Sequence, residues 1–189
     1  TSQDVTAKLR GVFATRRVGH GGTLDPMATG VLPVFVGRAT RAVEFFTEAK
    51  KEYIATLRLG LVTDTQDTTG RILEGSGENP GKEAVEAALA RFLGKQRQIP
   101  PMYSAIKVGG RKLYELARSG REVERTARDI EIFSLELLEA RGADYTIRVS
   151  CSKGTYIRTL CHDIGAFLGC GGTMAALRRT RAGAYTLDQ

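Results

Sequence analysis

The sequence has no tryptophan, and its 189 residues include only three cysteines and two histidines. The cysteines (Cys151, Cys161 and Cys170) are odd in number and have no paired Cys-x-x-Cys spacing, so they indicate neither a disulfide framework nor a zinc site. We interpret them as reduced, partly buried thiols of a cytoplasmic protein. The sequence also has no signal-peptide pattern and no apolar run long enough to span a membrane. These absences predict a globular domain without membrane attachment.

The sequence has fewer acidic residues than basic residues. The chain has 28 lysine and arginine residues against 21 aspartate and glutamate residues, which gives a net charge of +7. Arginine is concentrated in two places, at Arg16-Arg17 and at Arg178-Arg179-Thr180-Arg181. A basic excess of this kind favours a polyanionic partner such as nucleic acid, and the alternative is an ordinary basic surface.

Residues 19–30, GHGGTLDPMATG, place four glycines around a single carboxylate, Asp25. The segment is not a phosphate-binding loop, because it lacks a Gly-Lys-Ser/Thr ending and has Leu24 at the last glycine position of a GxGxxG pattern. The proline that follows Asp25 favours an extended backbone there, and the glycines would let a bulky substrate approach. The segment is therefore either a plain Asp-Pro turn or a loop that presents Asp25 to a substrate. The polar loop at 63–70 lacks calcium-ligand spacing, so no metal site is predicted.

Hydrophobic periodicity predicts a mixture of strands and helices. Alternation indicates strands over 51–59, 129–138 and 145–151, of which the last two form a hairpin, and an apolar run indicates another strand over 31–36. Helical spacing indicates helices from the first residues to about residue 14, near 39–46, over 83–93, over 113–118 and from 157 onward. Residues 102–108 are expected to be extended. The interspersed pattern predicts an α+β fold with a mixed, largely antiparallel sheet flanked by helices.

Residues 19–33, GHGGTLDPMATGVLP, resemble the catalytic signature of the TruB-type tRNA pseudouridine synthases, which is usually read as GHTGTLDPxATGVLP. The segments KEYIATLRLG with TDTQDTTG, QIPPMYSAIKVGGRKLYELAR, and CSKGTYIRTLCHDIGAFLG with LRRT resemble the family's further motifs, in the family's order. By these motifs the chain is identified as a member of that family. Gly21 replaces the family's usual threonine, and Gly172-Thr173 replace a common alanine-histidine pair.

The resemblance implies the pseudouridine synthase fold and the conversion of a uridine in the T loop (TΨC arm) of tRNA to pseudouridine. Residues 1–189 would form the catalytic domain, without the family's N-terminal strand and C-terminal RNA-binding extension. The isomerisation exchanges no atoms or electrons overall, so no cofactor and no metal are expected. The expected partner is the T stem-loop of tRNA, with no membrane and no obligate protein partner, and the protein is expected to be a cytoplasmic monomer.

The resemblance also assigns roles to individual residues. Asp25 would be the catalytic aspartate, acting as a nucleophile on the sugar or the base, or as the base that starts an elimination. Arg158 would pair with this carboxylate and favour its charged form, and Tyr53 would stack on the uracil and assist the C5 proton transfer. The expected substrate-binding residues are His20, Tyr53, Tyr156 and Leu177, and the candidate RNA phosphate contacts are Arg16, Arg17, Arg178, Arg179 and Arg181.

Three other functions can be weighed on the same residues. A catalytically idle RNA-binding relative would lack Asp25, Tyr53 or Arg158, and all three are present. A guide-RNA-dependent relative, which needs partner proteins, carries a different run after the aspartate-proline than the ATGVLP segment found here. A glycosidase would require a second carboxylate at a set distance from the first, and none accompanies Asp25 in its loop. These comparisons favour the stand-alone synthase.

Overall fold

The computed structural model describes residues 1–188, in which five α-helices occur. None of the helices within these residues is long and apolar enough to cross a membrane. A short 3₁₀ helix, Gly37–Ala42, leads directly into the second α-helix. The α-helices are α1 (Ser2–Val12), α2 (Val43–Thr47), α3 (Lys82–Arg91), α4 (Leu113–Arg118) and α5 (Ile157–Phe167).

Thirteen strands occur in the same part of the chain, and seven of them form one sheet. The strands are β1 (Val18–His20), β2 (Thr29–Gly30), β3 (Val34–Val36), β4 (Lys51–Leu59), β5 (Leu61–Thr63), β6 (Ile72–Gly75), β7 (Gly94–Gln98), β8 (Lys107–Val108), β9 (Arg111–Lys112), β10 (Arg128–Arg141), β11 (Asp144–Cys151), β12 (Gly172–Ala182) and β13 (Tyr185–Thr186). The order of the large sheet is β13-β12-β4-β11-β10-β7, all antiparallel, and β2 runs parallel to β12. The α+β prediction with a largely antiparallel sheet is confirmed.

The main core lies on one face of this sheet. Leu57 on β4 and Ile147 on β11 are completely buried, and they alternate with half-buried polar neighbours as the sequence pattern predicted. Leu160 and Ile164 of α5 and Val85 of α3 cover the same face. Each such side chain contributes about 1.5–3 kcal/mol through burial. All three cysteines are buried and unpaired.

Helix α1 and strand β12 differ from the sequence prediction. Helix α1 forms and begins with a capping box at Thr1, but Val5, Val12 and Phe13 are exposed, and the residues that it buries are Ser2 and Thr6. Strand β12 was not predicted, although it pairs with β4 along its whole length. Apolar periodicity identified the helix without identifying which of its sides faces the protein.

The segment between β7 and β10 folds around a small core of its own. Met102, Leu113 and Leu116 are buried together, and Tyr103 packs against them. The expected extended stretch over 102–108 is mostly bends, with only β8 at its end paired to β9. This satellite core places the Tyr103 backbone against the main domain.

Helix α5 crosses β12 at two glycines that touch. A methyl group added to Gly172 would lie 2.6 Å from the Cys161 carbonyl oxygen and 2.9 Å from the Cα of Gly165. A methyl group added to Gly165 would lie 2.1 Å from the Gly172 nitrogen. The two backbones can approach this closely only because neither residue has a side chain.

We expect Gly172→Ala to destabilise the protein by about 1–3 kcal/mol, because the added methyl group meets backbone atoms that cannot rotate away. Gly11→Ala is the matched control. Gly11 lies in α1 with open space around it, so its substitution should be neutral or stabilising by up to about 1 kcal/mol. Urea unfolding of the two variants and the wild type measures both effects. Equal stability of Gly172→Ala and the wild type would contradict the close crossing.

Candidate active site

The glycine-rich loop, residues 19–33, is held by two short strand pairings. At its start, β1 pairs with β3 in a separate two-stranded sheet, and after Asp25, β2 runs beside β12 of the large sheet. Gly30 has a φ of +103°, and a Cβ placed there would lie 2.1 Å from the Arg179 carbonyl oxygen. Glycine is therefore required where the loop returns to β12.

Helix α1 fixes the residue next to Asp25. The Ser2 hydroxyl accepts a hydrogen bond from the Leu24 N–H at 2.9 Å and lies 3.4 Å from the Leu24 carbonyl oxygen, to which it donates. This contact explains why a polar residue of α1 is buried. It also limits the movement of the backbone that carries Asp25.

Asp25 and Arg158 form a two-pronged contact. Arg158 Nε donates to one carboxylate oxygen at 2.9 Å and Nη2 donates to the other at 3.0 Å. The Asp25 side chain is 28% exposed, whereas Arg158 is buried. Such a pair fixes both the position and the plane of the carboxylate. The carboxylate therefore remains reachable from solvent while its partner does not.

Two further hydrogen bonds of Arg158 go to backbone carbonyl groups from two other segments. Nη1 donates to the Thr65 carbonyl oxygen at 3.0 Å, and Nη2 also donates to the Tyr103 carbonyl oxygen at 2.9 Å. The Asp67 carboxylate lies 3.9 Å from Nη1. Arg158 thus joins the Asp25 loop, the 63–70 loop and the satellite core at one point.

The Gln98 side chain sets the start of α5, and sequence reasoning did not identify it. Its amide nitrogen donates to the Tyr156 carbonyl oxygen at 3.0 Å, and its amide oxygen accepts from the Tyr156 N–H at 2.8 Å. Gln98 is buried at the end of β7. This pairing orients Tyr156 and, two residues further, Arg158.

The 63–70 loop is held by the Asp67 carboxylate. One of its oxygens accepts from the Thr65 hydroxyl at 2.8 Å and from the Thr69 N–H at 3.0 Å. Thr173, at a position where the family often has histidine, is fully buried and contacts the Thr63 hydroxyl at 3.1 Å. No cluster of three or more metal-binding side chains occurs within residues 1–188.

Tyr53 and Leu177 lie on the same face of the sheet, and the Asp25 charge acts on the Tyr53 hydroxyl. Tyr53 stands opposite Arg179 in the β4–β12 pairing, and Leu177 stands opposite Ala55. Burial raises the pKa of the Tyr53 hydroxyl to about 12, and the charge of the nearby Arg179 guanidinium opposes this rise. The phenol is therefore neutral near pH 7.

Two further predicted pocket residues are half-buried. His20, on β1, has a buried Nδ1 without a hydrogen-bond partner. Burial lowers the pKa of His20, and the nearby Arg179 charge lowers it further. Burial raises the pKa of Tyr156. Both side chains are therefore uncharged near pH 7.

The predicted phosphate contacts divide into two groups. Arg16, Arg17, Arg178 and Arg181 are exposed, as a surface contact requires. Arg179 is 1% exposed, and its guanidinium donates to backbone carbonyl oxygens inside the protein. The expectation that Arg179 contacts RNA phosphate is therefore wrong, because its side chain points to the buried face of β12.

Two family models match the chain. One is described as the TruB family pseudouridylate synthase N-terminal domain and matches residues 10–157, and the other, the tRNA pseudouridylate synthase B C-terminal domain, matches residues 158–189. The chain belongs to the TruB family. The boundary between the two matches falls within α5, and β12 of the second match pairs with β4 of the first.

Curated TruB relatives match the whole chain. It is 54% identical over 194 residues to the tRNA pseudouridine synthase B of Syntrophomonas wolfei and 51% identical over 191 residues to that of Francisella tularensis. The alignments cover 100% of this chain but only 65% and 63% of those proteins. The chain thus spans slightly less than two thirds of the length of these relatives.

Solved structures of related proteins share the fold. The chain superposes on a crystal structure of a Cbf5-Nop10-Gar1 complex with a TM-score of 0.76 and 34% identity, covering 98% of this chain and 46% of that chain. A second match is an H/ACA RNP bound to a substrate RNA that contains 2'-deoxyuridine, with a TM-score of 0.73 and 31% identity, covering 98% of this chain and 45% of that one. The pseudouridine synthase fold is confirmed.

The departure from the TruB signature at Gly21 has a structural counterpart. A Cβ at Gly21 would lie 2.2 Å from the Phe46 ring and 3.2 Å from the Phe35 ring. Phe46 also packs against Phe35 and Tyr185, with ring centroids 5.5 and 5.7 Å away. In this chain an aromatic cluster occupies the space that a threonine side chain would need.

The lowered pKa of His20 makes a prediction about stability. The unfolded state binds the proton near the ordinary pKa of 6.5, while the folded state binds it only at lower pH, so stability should fall as the pH drops below about 6.5. His20→Gln removes this contribution. The loss of unfolding free energy between pH 7.5 and pH 5.5 should therefore be smaller in His20→Gln than in the wild type, as measured by urea unfolding. An equal loss in both proteins would contradict the burial of a neutral imidazole.

Proposed function

We propose that this chain is a tRNA pseudouridine synthase that converts a uridine in the T loop of tRNA to pseudouridine, with Asp25 as its catalytic nucleophile. The observation that carries the proposal is the half-open Asp25 carboxylate, which the buried Arg158 holds through both oxygens. This carboxylate is close enough to Tyr53 for its charge to raise the pKa of that hydroxyl. Full-length relatives named tRNA pseudouridine synthase B support the reaction and its substrate.

The reaction needs a group that can free the base from its sugar and let it turn. The bond from C1' of the ribose to N1 of uracil breaks, a bond from C1' to C5 forms, and the C5 proton leaves while N1 gains a proton. A carboxylate can attack the sugar, attack the base, or begin an elimination, and each route requires it to be ionised and aimed. The two-pronged Arg158 contact aims the carboxylate, because it fixes the position and the plane of both oxygens.

Tyr53 is proposed to form one wall of the uracil site. Its ring can stack on the base, a contact worth about 1–3 kcal/mol. With its pKa raised to about 12, the hydroxyl is a neutral phenol near pH 7. A neutral phenol can accept the C5 proton only if it passes its own proton to another acceptor at the same time. This requirement favours stacking as the main role of Tyr53.

The uridine is proposed to leave its stack before it reaches Asp25. A base inside a folded T loop is not accessible to a carboxylate that is itself 28% exposed, so the nucleotide must be flipped out of the RNA. Tyr156 and Leu177 would line the pocket for the flipped base, and the neutral His20 would contact the RNA beside it. Uncharged side chains suit an uncharged base.

Exposed arginines are proposed to hold the RNA backbone. Gly37 N–H donates to the Arg17 carbonyl oxygen at 2.7 Å, which places the exposed Arg38 beside the predicted pair Arg16-Arg17. Arg178 and Arg181 project from the solvent side of β12, whose Arg178–Arg179 segment pairs with β2 of the Asp25 loop. These positions flank the site and would contact phosphates rather than read bases.

We further propose that residues 1–189 act as one catalytic domain, as a cytoplasmic monomer, with tRNA as partner and without an obligate protein partner or cofactor. A guide-RNA-dependent enzyme is the second candidate, because the solved structures matched at 31–34% identity are of a Cbf5 complex and an H/ACA RNP. The relatives at 51–54% identity are named tRNA pseudouridine synthase B, which favours the stand-alone enzyme.

Asp25→Asn should abolish pseudouridine formation on a T-stem-loop RNA, because the amide has nearly the same volume but no charge. RNA affinity should change little, whereas the free energy of unfolding should fall, because the buried Arg158 loses its charged partner. Asp129→Asn, which alters an exposed carboxylate on β10, is the control and should keep wild-type rates. Pseudouridine mapping after incubation gives the product, and mass spectrometry excludes deamidation. Turnover by the intact asparagine variant would falsify the assignment.

Charge reversal at Arg178 and Arg181 should weaken RNA binding and lower its salt dependence. Losing two phosphate contacts should reduce the slope of log K against log salt by about 2. Lys82→Glu with Arg91→Glu, which changes the net charge equally on α3, should leave the slope unchanged. Binding measured between 50 and 200 mM salt, roughly the range over which such effects are large, tests this. A loss of rate at saturating RNA would instead place these arginines in the chemical step.

A further inference from the structure

Arg179 is a buried cation that the proposed chemistry does not yet use. It lies on β12 directly opposite Tyr53, and it is 1% exposed. A buried guanidinium is costly unless its donors are satisfied, so its partners indicate what it does.

The partners of Arg179 are the two limbs of the loop that carries Asp25. On the limb before Asp25, Nη2 donates to the Gly22 carbonyl oxygen at 3.1 Å, and Nη1 lies 3.5 Å from the Thr23 carbonyl oxygen. On the limb after Asp25, Nε donates to the Val31 carbonyl oxygen at 2.8 Å. A single planar group thus spans the loop between residues 22 and 31, with Asp25 between its contacts.

The backbone of Arg179 strengthens the same connection. The Val31 N–H donates to the Arg179 carbonyl oxygen at 2.9 Å, so Val31 is bound by both the backbone and the side chain of one residue. The glycine at position 30 permits the approach, because any Cβ there would overlap Arg179 backbone atoms. The outgoing limb therefore has little freedom to move relative to β12.

We propose that Arg179 is a positioning residue for the reaction: it sets the distance between the two limbs of the Asp25 loop and holds the loop in register with Tyr53. This inference rests on the proposed function of Asp25. Arg158 orients the carboxylate group itself, whereas Arg179 orients the backbone from which that carboxylate projects. Arg179 also lies beside the Tyr53 hydroxyl. One guanidinium therefore fixes the position of the Asp25 loop relative to Tyr53, the proposed wall of the uracil site.

Arg179→Lys is the most informative variant. An ammonium group keeps the charge but has no planar fork, so it can reach one limb of the loop and not both. Displacement of the nucleophile by a fraction of an ångström to one ångström should lower kcat by roughly 10- to 100-fold. KM for the T-stem-loop RNA should stay within about twofold of the wild-type value, because no phosphate contact is lost. For the same reason the salt slope of binding should match that of the wild type. Arg91→Lys, at an exposed position of α3, is the matched control and should keep wild-type kcat.

Amide hydrogen exchange gives a second readout that does not depend on activity. In Arg179→Lys the amides of Leu24 and Val31 should exchange faster, while those of the β10–β11 hairpin should keep wild-type rates. If the lysine variant does not fold, Arg179→Gln, which can still donate to one carbonyl group, is judged by the same measurements.

The outcomes separate this inference from the function on which it rests. A wild-type kcat in a folded Arg179 variant overturns the inference, and so does a loss expressed in KM with a reduced salt slope. Uniformly faster exchange across the whole sheet also overturns it, because that would indicate a general structural role. Turnover by Asp25→Asn would overturn the function of Asp25 while the local exchange result for Arg179 still stood.

Discussion

The buried guanidinium of Arg158 is the constraint on which the site depends. A buried charge left without a partner costs about 3–5 kcal/mol, so each of its donors requires an acceptor. The acceptors come from three separate segments: the Asp25 carboxylate, the Thr65 carbonyl group and the Tyr103 carbonyl group. Segments far from Asp25 in the sequence therefore help to hold its carboxylate. The Asp67 network shapes the 63–70 loop, the satellite core presents Tyr103, and Gln98 fixes the start of α5.

Arginine has three different functions in this chain, and burial distinguishes them. Arg158 pairs with a side chain, Arg179 binds backbone carbonyl groups, and exposed residues such as Arg178 remain free to meet phosphate. The net charge of +7 therefore overstates the charge at the surface, since three of the cations, Lys51, Arg158 and Arg179, are buried. Composition alone treats all of them as surface charge.

The sequence predicted the elements whose periodicity is simple. Strand β4 alternates and α5 has an apolar stripe, and both occur where the pattern placed them. Strand β12 was missed because its run, GTMAALRRTRA, is rich in alanine, leucine and arginine, which favour helices. Had it been recognised as a strand, the period of two would have placed Arg179 on the same face as Leu177, and so inside. The amide pairing of Gln98 with Tyr156 has no sequence signal at all, because it joins residues 58 positions apart.

The glycines around Asp25 show that a sequence motif does not by itself reveal why its residues are required. Read from the sequence, they make room for a substrate. In the structure, protein atoms fill the space beside two of the four glycines. The Phe46 ring lies beside Gly21, and the Arg179 backbone lies beside Gly30. Close internal contact on both sides is what makes the loop rigid, and a rigid loop is what lets a carboxylate that is 28% exposed keep one orientation. Glycines that the sequence assigned to open space thus permit close packing, because a glycine in a packed site removes a side chain that would otherwise hold two backbones apart.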